Sequence, residues 1–238
     1  MFIMLRKMFL TLMMLGVFGI SSVFAHAIWM ETAAAGQKGV SQEVRIFFGE
    51  FATEDISPAD KWFSDLNQFK LFLHTPDNKQ IELKTTADGT GYKADFTPEL
   101  DGVYQLVIRK IAKEVSYGYL LDYTSTAVVR VGTANHLPTS PAVLAVHPEV
   151  STYAVNQPID FTALIDSTLK GDREIVIISP NSWTKKLYPD KSSKTSFVPL
   201  WPGKYLVEMT VTSKTTGEHN GASYSVGYHC GTYAFEVK

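Results

Sequence analysis

Short runs of alternating apolar and polar residues, separated by turn-forming residues, cover the chain from residue 27 to its end. Runs with a period of two that are bounded by Gly, Pro, Asn and Asp are typical of half-buried β-strands. The pattern therefore predicts an all-β protein. The predicted strands lie near residues 27–32, 43–48, 69–74, 80–85, 92–96, 103–111 and 119–131, and then near 142–146, 159–165, 175–178, 195–198, 205–213 and 223–237.

Turn chemistry predicts three local features between these strands. Ser57 is a helix-capping residue, and Pro58 after it suits the first helical position. The pair predicts one short helix toward Leu66. The Asn220-Gly221 pair predicts a two-residue hairpin turn. Residues 89–94 match the GxGxxA pattern, but they lie between two strands with no helix following, so we interpret them as a hairpin loop.

An internal repeat predicts how the strands are divided. Residues 98–108 and 199–209 align without a gap, and each contains Gly-x-Tyr followed by a strand-like run. In β-sandwich domains such a tyrosine, here Tyr104 and Tyr205, ties the preceding corner to the backbone. The repeat predicts two tandem immunoglobulin-like β-sandwiches over residues 26–132 and 142–238, joined by a linker over 133–141 that contains two prolines.

The first 25 residues resemble an export signal. Arg6 and Lys7 precede an apolar stretch over residues 8–24, and Val23 and Ala25 form a small-residue processing site. A membrane anchor is the alternative, although the stretch is no longer than the roughly 20 residues that cross a bilayer. We predict cleavage after Ala25, a periplasmic or secreted location, a mature chain that begins at His26, and no later membrane span.

Composition excludes several classes of function. The chain is 45% hydrophobic and 19% charged, as in globular proteins, and its formal charge is −2. Loss of Arg6 and Lys7 leaves 20 basic against 24 acidic residues, a charge of −4, so no basic surface for nucleic acid is expected. A single cysteine, Cys230, rules out an intramolecular disulfide and a CxxC site. The motifs GxSxG, HExxH and GxxxxGK[ST] are absent, and we predict that the protein is not an enzyme.

The predicted mature terminus carries chemistry that few residues can offer. A histidine at position one presents two nitrogens, the free α-amine and imidazole Nδ1, which can close a chelate ring around a divalent cation. Nitrogen-rich sites favour copper(II) and nickel(II), and the α-amine needs to lose only one proton with a pKa near 8. The alternative is that His26 is merely the residue that the peptidase leaves exposed.

A bidentate terminus usually needs a further ligand, and strand geometry restricts the choice. The loops expected near the terminus hold acidic residues, among them Glu50, but no histidine. His229 shares a strand face with a predicted core, so it is either a buried, hydrogen-bonded residue or, if the second domain folds back, a ligand beside His26. Neighbouring Cys230 points to the other face and is expected to be a small buried hydrophobe. His136 and His147 are expected to be solvated loop residues.

Several short motifs together resemble the domain of unknown function 4198 family, whose members are described as periplasmic components of cobalt or nickel uptake systems. The motifs are His26-Ala-Ile-Trp-Met-Glu31, Phe-Gly-Glu50, Asp-Gly-Val-Tyr104 and Gly-Thr-Tyr-Ala-Phe-Glu-Val237. The resemblance implies two immunoglobulin-like sandwiches and a metal-linked role in the envelope. It carries a metal role onto His26, and it matches Glu31 and Glu50 in position.

Three functions remain open on the sequence. The first is an exported copper- or nickel-binding protein, with His26, His229 and Glu50 as candidate ligands and an inner-membrane metal transporter as a candidate partner. The second is a non-catalytic module that recognises an envelope protein or polysaccharide through exposed aromatic residues. The third is a copper-dependent polysaccharide oxidase, which needs a second histidine in the same site. The candidate aromatic residues of the second function are Trp62, Phe63, Trp183 and Trp201.

Overall fold

The computed structural model describes residues 26–133, 136–138, 142 and 144–238. The predicted signal segment lies outside the described residues, as does part of the predicted linker. In the described part of the chain, strands account for most of the regular structure, and the remainder of it is three short 3-10 turns. The protein is all-β, as the alternating pattern predicted. No helix among the described residues is long and apolar enough to cross a membrane.

Ten strands of the described residues precede the predicted linker. The two longest, Gly102–Ile111 and Tyr119–Val131, are buried along most of their length. These strands are β1 (Ala27–Glu31), β2 (Ala35–Gly36), β3 (Gln42–Glu50), β4 (Asp55–Ile56), β5 (Leu71–His74), β6 (Gln80–Leu83), β7 (Thr86–Asp88), β8 (Gly91–Phe96), β9 (Gly102–Ile111) and β10 (Tyr119–Val131).

Over the described residues 144–238, nine strands follow the predicted linker. Most of these strands are short. One long strand again begins at a Gly-x-Tyr motif. They are β11 (Leu144–Pro148), β12 (Ile159–Ile165), β13 (Asp172–Ile178), β14 (Thr184–Lys186), β15 (Lys194–Phe197), β16 (Gly203–Ser213), β17 (Gly217–His219), β18 (Ala222–Tyr224) and β19 (Val226–Val237).

One sheet runs through both halves of the molecule. This central sheet has the order β14-β13-β16-β19-β10-β9-β5-β6, with β2 added beside β10. Its two halves join where β10 and β19 pair in parallel, with Tyr123 opposite Cys230. A first-domain sheet has the order β1-β3-β8-β7, with β4 beside β3, and a second-domain sheet has the order β11-β12-β15.

The two smaller sheets pack on opposite faces of the central sheet. Because neighbouring residues of a strand point to opposite faces, Tyr123 and Cys230 face one way while Asp122 and His229 face the other. The face with Tyr123 and Cys230 joins the core beneath the first-domain sheet. The opposite face, which includes Val128, joins the core beneath the second-domain sheet. Each sandwich core therefore uses side chains from the other half of the chain.

The two predicted tyrosine corners are present. The Tyr104 hydroxyl donates to the Leu100 carbonyl at 3.0 Å and accepts from the Leu100 amide at 2.8 Å. The Tyr205 hydroxyl donates to the Trp201 carbonyl at 2.9 Å and accepts from its amide at 3.3 Å. The repeat thus identified the same corner in both sandwiches.

The glycines of the same two corners are also equivalent. Gly102 has φ +143° and Gly203 has φ +125°, a region that favours glycine. A Cβ atom at Gly102 would lie 2.5 Å from the Pro76 side chain, and one at Gly203 would lie 2.9 Å from Pro180. Each corner therefore packs its backbone against a proline from the preceding hairpin.

The helix predicted over residues 57–66 is wrong. The segment forms separate 3-10 turns at Ala59–Lys61 and Leu66–Gln68, and the Pro58 cap position has no side-chain hydrogen bond. Ser64 adopts a left-handed conformation with φ +56°, which interrupts any helix. Both predicted hairpin turns are confirmed, since Asp88 pairs with Gly91 and His219 pairs with Ala222.

Candidate functional site

The amino end of β1 is the centre of the candidate site. Strand β1 lies at the edge of its sheet, and its residues Ala27 to Met30 are nevertheless all buried. The strand pairs antiparallel with β3, and Ala27 lies opposite Gly49. Continuing that register by one residue sets His26 across from Glu50. His26 and Glu50, two of the three metal ligands that the sequence suggested, therefore each adjoin the last paired position of the two strands, Ala27 with Gly49.

His26 is one of the residues that line a small pocket. The residue is exposed, and its ring centroid lies 5.6 Å from that of Phe48. The pocket has a volume of about 330 Å³, and His26 is the single histidine among the described residues that line it. Strands β3 and β10 and the loops beside them line this open pocket with the residues His26, Phe48, Ser57, Lys61, Phe63, Ser116, Leu121 and Tyr123.

Glu50 ends β3 and begins the next turn. Its side chain accepts a hydrogen bond from the Ala52 amide at 3.4 Å and so caps the 3-10 turn Phe51–Thr53. This turn reaches the second sandwich, because the Ser182 hydroxyl donates to the Ala52 carbonyl. The Glu50 carboxylate is therefore held beside a contact between the two halves of the molecule.

The sequence pattern did not single out Glu208 of β16. This residue lies on the face of the central sheet that β1 covers. Glu208 is opposite Thr232, and the Thr232 hydroxyl donates to the Ile28 carbonyl at 2.6 Å. Chiefly burial, and then the negative charges of Glu50 and Glu174, raises the pKa of the Glu208 carboxyl to about 7. In the sequence, Glu208 is an ordinary polar position of an alternating strand, and such positions usually face solvent.

His229 lies on the other face of the central sheet. Its Nδ1 is 3.1 Å from an oxygen of Asp122, and Arg109 donates two hydrogen bonds to the same carboxylate. Burial alone would raise the pKa of Asp122, but the hydrogen bonds from His229 and Arg109 lower it overall. Because Tyr123 lines the His26 pocket and Asp122 points the opposite way, the structure does not bring His229 to His26.

Two further residues behave as the sequence suggested, and one does not. Cys230 is a buried free thiol whose pKa is raised well above its usual range, mainly by burial. His136 is exposed. The prediction that His147 is solvated is wrong: it is 2% exposed on β11, and its Nε2 lies 3.1 Å from Gln105 Nε2 and 3.2 Å from Thr126 Oγ1. Strand β11 extends to Pro148 and packs on the central sheet, which buries this histidine.

Metal-ligating side chains do not form clusters in the described part of the chain. Within it, no three or more His, Cys, Asp or Glu side chains are grouped closely enough to hold a metal ion. A site at His26 would draw on the backbone amine in addition to side chains. That donor exists only when the peptide bond before residue 26 is cut.

The aromatic residues proposed as a binding platform have different environments. Trp62 is 4% exposed and stacks on Phe69 with a centroid distance of 5.6 Å, so it belongs to the core. Phe63 is partly buried and lines the His26 pocket. Trp183 is 43% exposed, and its ring lies 6.2 Å from that of Trp201 in an edge-on arrangement.

A larger groove, of about 920 Å³, lies at the junction of the two sandwiches. The connection after β1 forms one wall, and the segment before β12 together with the end of β19 forms the other. Charges of both signs line it. Lys204 and Glu31 form an ion pair of 2.5 Å between the two halves of the chain at its edge.

The paired sandwiches and their tyrosine corners define the class of the protein as immunoglobulin-like. No family model matches the chain, and no curated protein matches it. A solved structure to which it is similar is the full ectodomain, Ig1–Ig3, of mouse nectin-like molecule 4, with 10% sequence identity and a TM-score of 0.25. The match covers 87% of this chain and 62% of that one, so the chain spans less than two thirds of that ectodomain.

Proposed function

We propose that this protein is exported, is cleaved after Ala25 and binds copper(II) or nickel(II) through the α-amine and imidazole of His26. Glu50 supplies a carboxylate as a further ligand. The bound ion serves metal uptake or handling in the cell envelope, with an inner-membrane metal transporter as the partner that receives it. No catalytic step is part of this proposal.

The observation that carries the proposal is the position of His26. It is exposed, it directly precedes a buried strand, and the last paired position of that strand joins Ala27 to Gly49, the residue before Glu50. A strand that is fixed along its length gives its first residue a defined direction, so little conformational entropy is lost when the chelate forms. The pocket beside the ring leaves room for an ion and its remaining water ligands.

The chemistry of the donor set favours the later divalent metals. Both nitrogens are neutral donors once the α-amine has lost its proton, and nitrogen donors rank copper(II) and nickel(II) above the earlier first-row ions. A carboxylate adds one negative charge toward balancing the cation. A copper oxidase would need a second imidazole, and among the described residues none lines the pocket with His26.

Calorimetric titration of Cu(II) and Ni(II) tests the proposal. The protein that begins at His26 is compared with the same protein carrying one extra residue before it, and with His26→Ala. We expect one ion per chain at micromolar affinity or tighter in the first form, and an affinity at least about tenfold weaker in the other two, because each lacks one chelating nitrogen. Equal affinity in all three forms would contradict the proposal.

A second candidate function rests on a tryptophan pair of which Trp183 is exposed and Trp201 is half-buried. Trp183 and Trp201 present adjacent indole rings at one end of the second sandwich, close to exposed Leu200. Exposed aromatic surfaces bind polymers and protein partners. This module would bind equally well with or without an extra residue before His26. Loss of polysaccharide binding in Trp183→Ala, with unchanged binding in the extended form, would favour it over the metal function.

A further inference from the structure

The lining of the His26 pocket carries a positive charge and no negative one. Lys61 is one of its residues and is exposed, and no Asp or Glu lines the pocket among the described residues. A divalent metal ion is the largest local charge in any site that binds one, and a nearby ammonium group repels it. Even with Glu50 as a ligand, a metal at His26 leaves an excess of positive charge at this pocket.

The other walls of the pocket combine an apolar surface with two hydroxyl groups. Ser57 and Ser116 are half-buried, and each can donate a hydrogen bond to an acceptor. The apolar wall is part of the core beneath the first-domain sheet and consists of Phe48, Leu121, Tyr123 and Phe63. A ligand that suits these walls has an apolar body and an anionic head.

Hydrogen bonds fix the segment that carries Ser57 and Lys61. The Ser57 amide donates to the Phe48 carbonyl at 2.9 Å, which ties the start of the segment to β3. Farther along, the Ala59 carbonyl accepts a hydrogen bond from the Tyr92 hydroxyl at 3.2 Å. The pocket, of about 330 Å³, is therefore formed before a ligand enters, and little ordering is required on binding.

We propose that this pocket binds a small organic carboxylate with an apolar body, which joins the metal at His26 in place of water. The carboxylate accepts hydrogen bonds from Lys61 and the two serine hydroxyls, and its body packs against Phe48 and Phe63. Its negative charge offsets the charges of the metal and of Lys61. The protein thus takes up its metal as a complex with an organic acid. This inference rests on the proposed function, since it places the metal at His26.

Calorimetric titration of Cu(II) in the presence and absence of benzoate tests the inference on the protein that begins at His26. Benzoate has an anionic head and an apolar ring, and benzamide is its uncharged counterpart of similar shape. We expect benzoate to raise the copper affinity about tenfold, after correction for the copper–benzoate complex that forms in free solution. Benzamide should raise it by less than about twofold, because it brings no negative charge.

Two lysine variants show whether Lys61 holds the carboxylate. In Lys61→Gln, benzoate should raise the copper affinity by less than about twofold, because the ammonium group that binds its head is gone. Lys84→Gln removes an exposed lysine elsewhere in the first sandwich and should keep the tenfold effect. Near-ultraviolet circular dichroism verifies that both variants keep their native packing.

A titration of benzoate into the metal-free protein separates this inference from the metal function. Because coupling between two ligands is reciprocal, benzoate should bind the metal-free protein about tenfold more weakly than the copper-loaded protein. Copper affinity that benzoate leaves unchanged, or raises equally in Lys61→Gln, would overturn the carboxylate pocket and leave the metal function standing. Failure of copper to bind, together with benzoate binding that is lost in Lys61→Gln, would reject the metal function and support the carboxylate pocket. Failure of both ligands to bind would overturn both.

Discussion

His147 shows at the residue scale how burial sets a protonation state. The residue is almost fully enclosed, with Gln105 and Thr126 beside its Nε2 and Tyr233 against its ring. Burial, reinforced by the positive charge of Arg130, lowers the pKa of His147 to about 4. The imidazole is therefore neutral in the folded protein at pH values where it is already charged in the unfolded chain.

This difference predicts an acid-sensitive contribution to stability. As the pH falls from about 6.5 to about 4, the unfolded state takes up a proton at His147 before the folded state does, so the free energy of unfolding falls. The contribution is fully present above pH 6.5, and its loss amounts to about 3 kcal/mol by pH 4.

Comparison of the parent with His147→Gln by urea unfolding isolates this contribution. The raised pKa of Glu208 acts in the opposite direction over a similar range, so the difference between the two proteins is the relevant quantity. The decrease in free energy of unfolding between pH 7 and pH 4.5 should be smaller in the variant by about 2–3 kcal/mol. Parallel pH profiles for parent and variant would contradict the assignment.

Single residues also show where sequence reasoning fails. His147 lies beside Pro148, and a histidine–proline pair near a predicted linker favours a loop; the burial arises from β10 and β19, which are distant in sequence. Glu208 occupies a polar position of an alternating strand, yet β1 covers that face. In both cases the decisive contact comes from another sandwich layer, and a local pattern carries no information about it.

The tyrosine corners are the element that the sequence predicted in most detail. The strand alternation and the Gly-x-Tyr repeat together located β9 and β16, and the structure has both corners with equivalent hydrogen bonds. The pairing of β10 with β19 was not predictable in the same way. An alternating pattern tells which face of a strand is buried, but it does not tell which strand lies beside it.

Tyr104→Phe and Tyr205→Phe measure what these corners contribute. Each change leaves a carbonyl and an amide of the corner without their partner, so we expect losses in free energy of unfolding of about 1–3 kcal/mol. Tyr104 should lie at the upper end because its hydroxyl also accepts from the Glu99 amide.

Tyr117→Phe is the matched control for the corner variants. Tyr117 is 88% exposed, and the same change there should alter stability by less than about 0.5 kcal/mol. Corner variants that are as stable as this control would show that the hydroxyl contacts of the two corners contribute nothing to stability.

The whole molecule is organised around the central sheet, which passes from one sandwich to the other without a break. Asp122 ties this junction together, since Arg109 on β9 and His229 on β19 both bind its buried carboxylate. Lys204 and Glu31 add a second link. Strand β1 packs on the opposite face of the central sheet from Asp122, where the Ile28 carbonyl accepts a hydrogen bond from the Thr232 hydroxyl of β19, so the strand that follows His26 contacts both halves of the chain.

Electron paramagnetic resonance of the protein with one equivalent of Cu(II) tests the central claim most directly. The protein that begins at His26, with ¹⁵N-labelled histidine, should show copper coupled to two labelled nitrogens, one from the α-amine and one from the imidazole. Addition of one unlabelled residue before His26 should remove the amine coupling and weaken binding. A spectrum of hydrated copper, or the same nitrogen couplings in both forms, would contradict a metal site at the processed terminus.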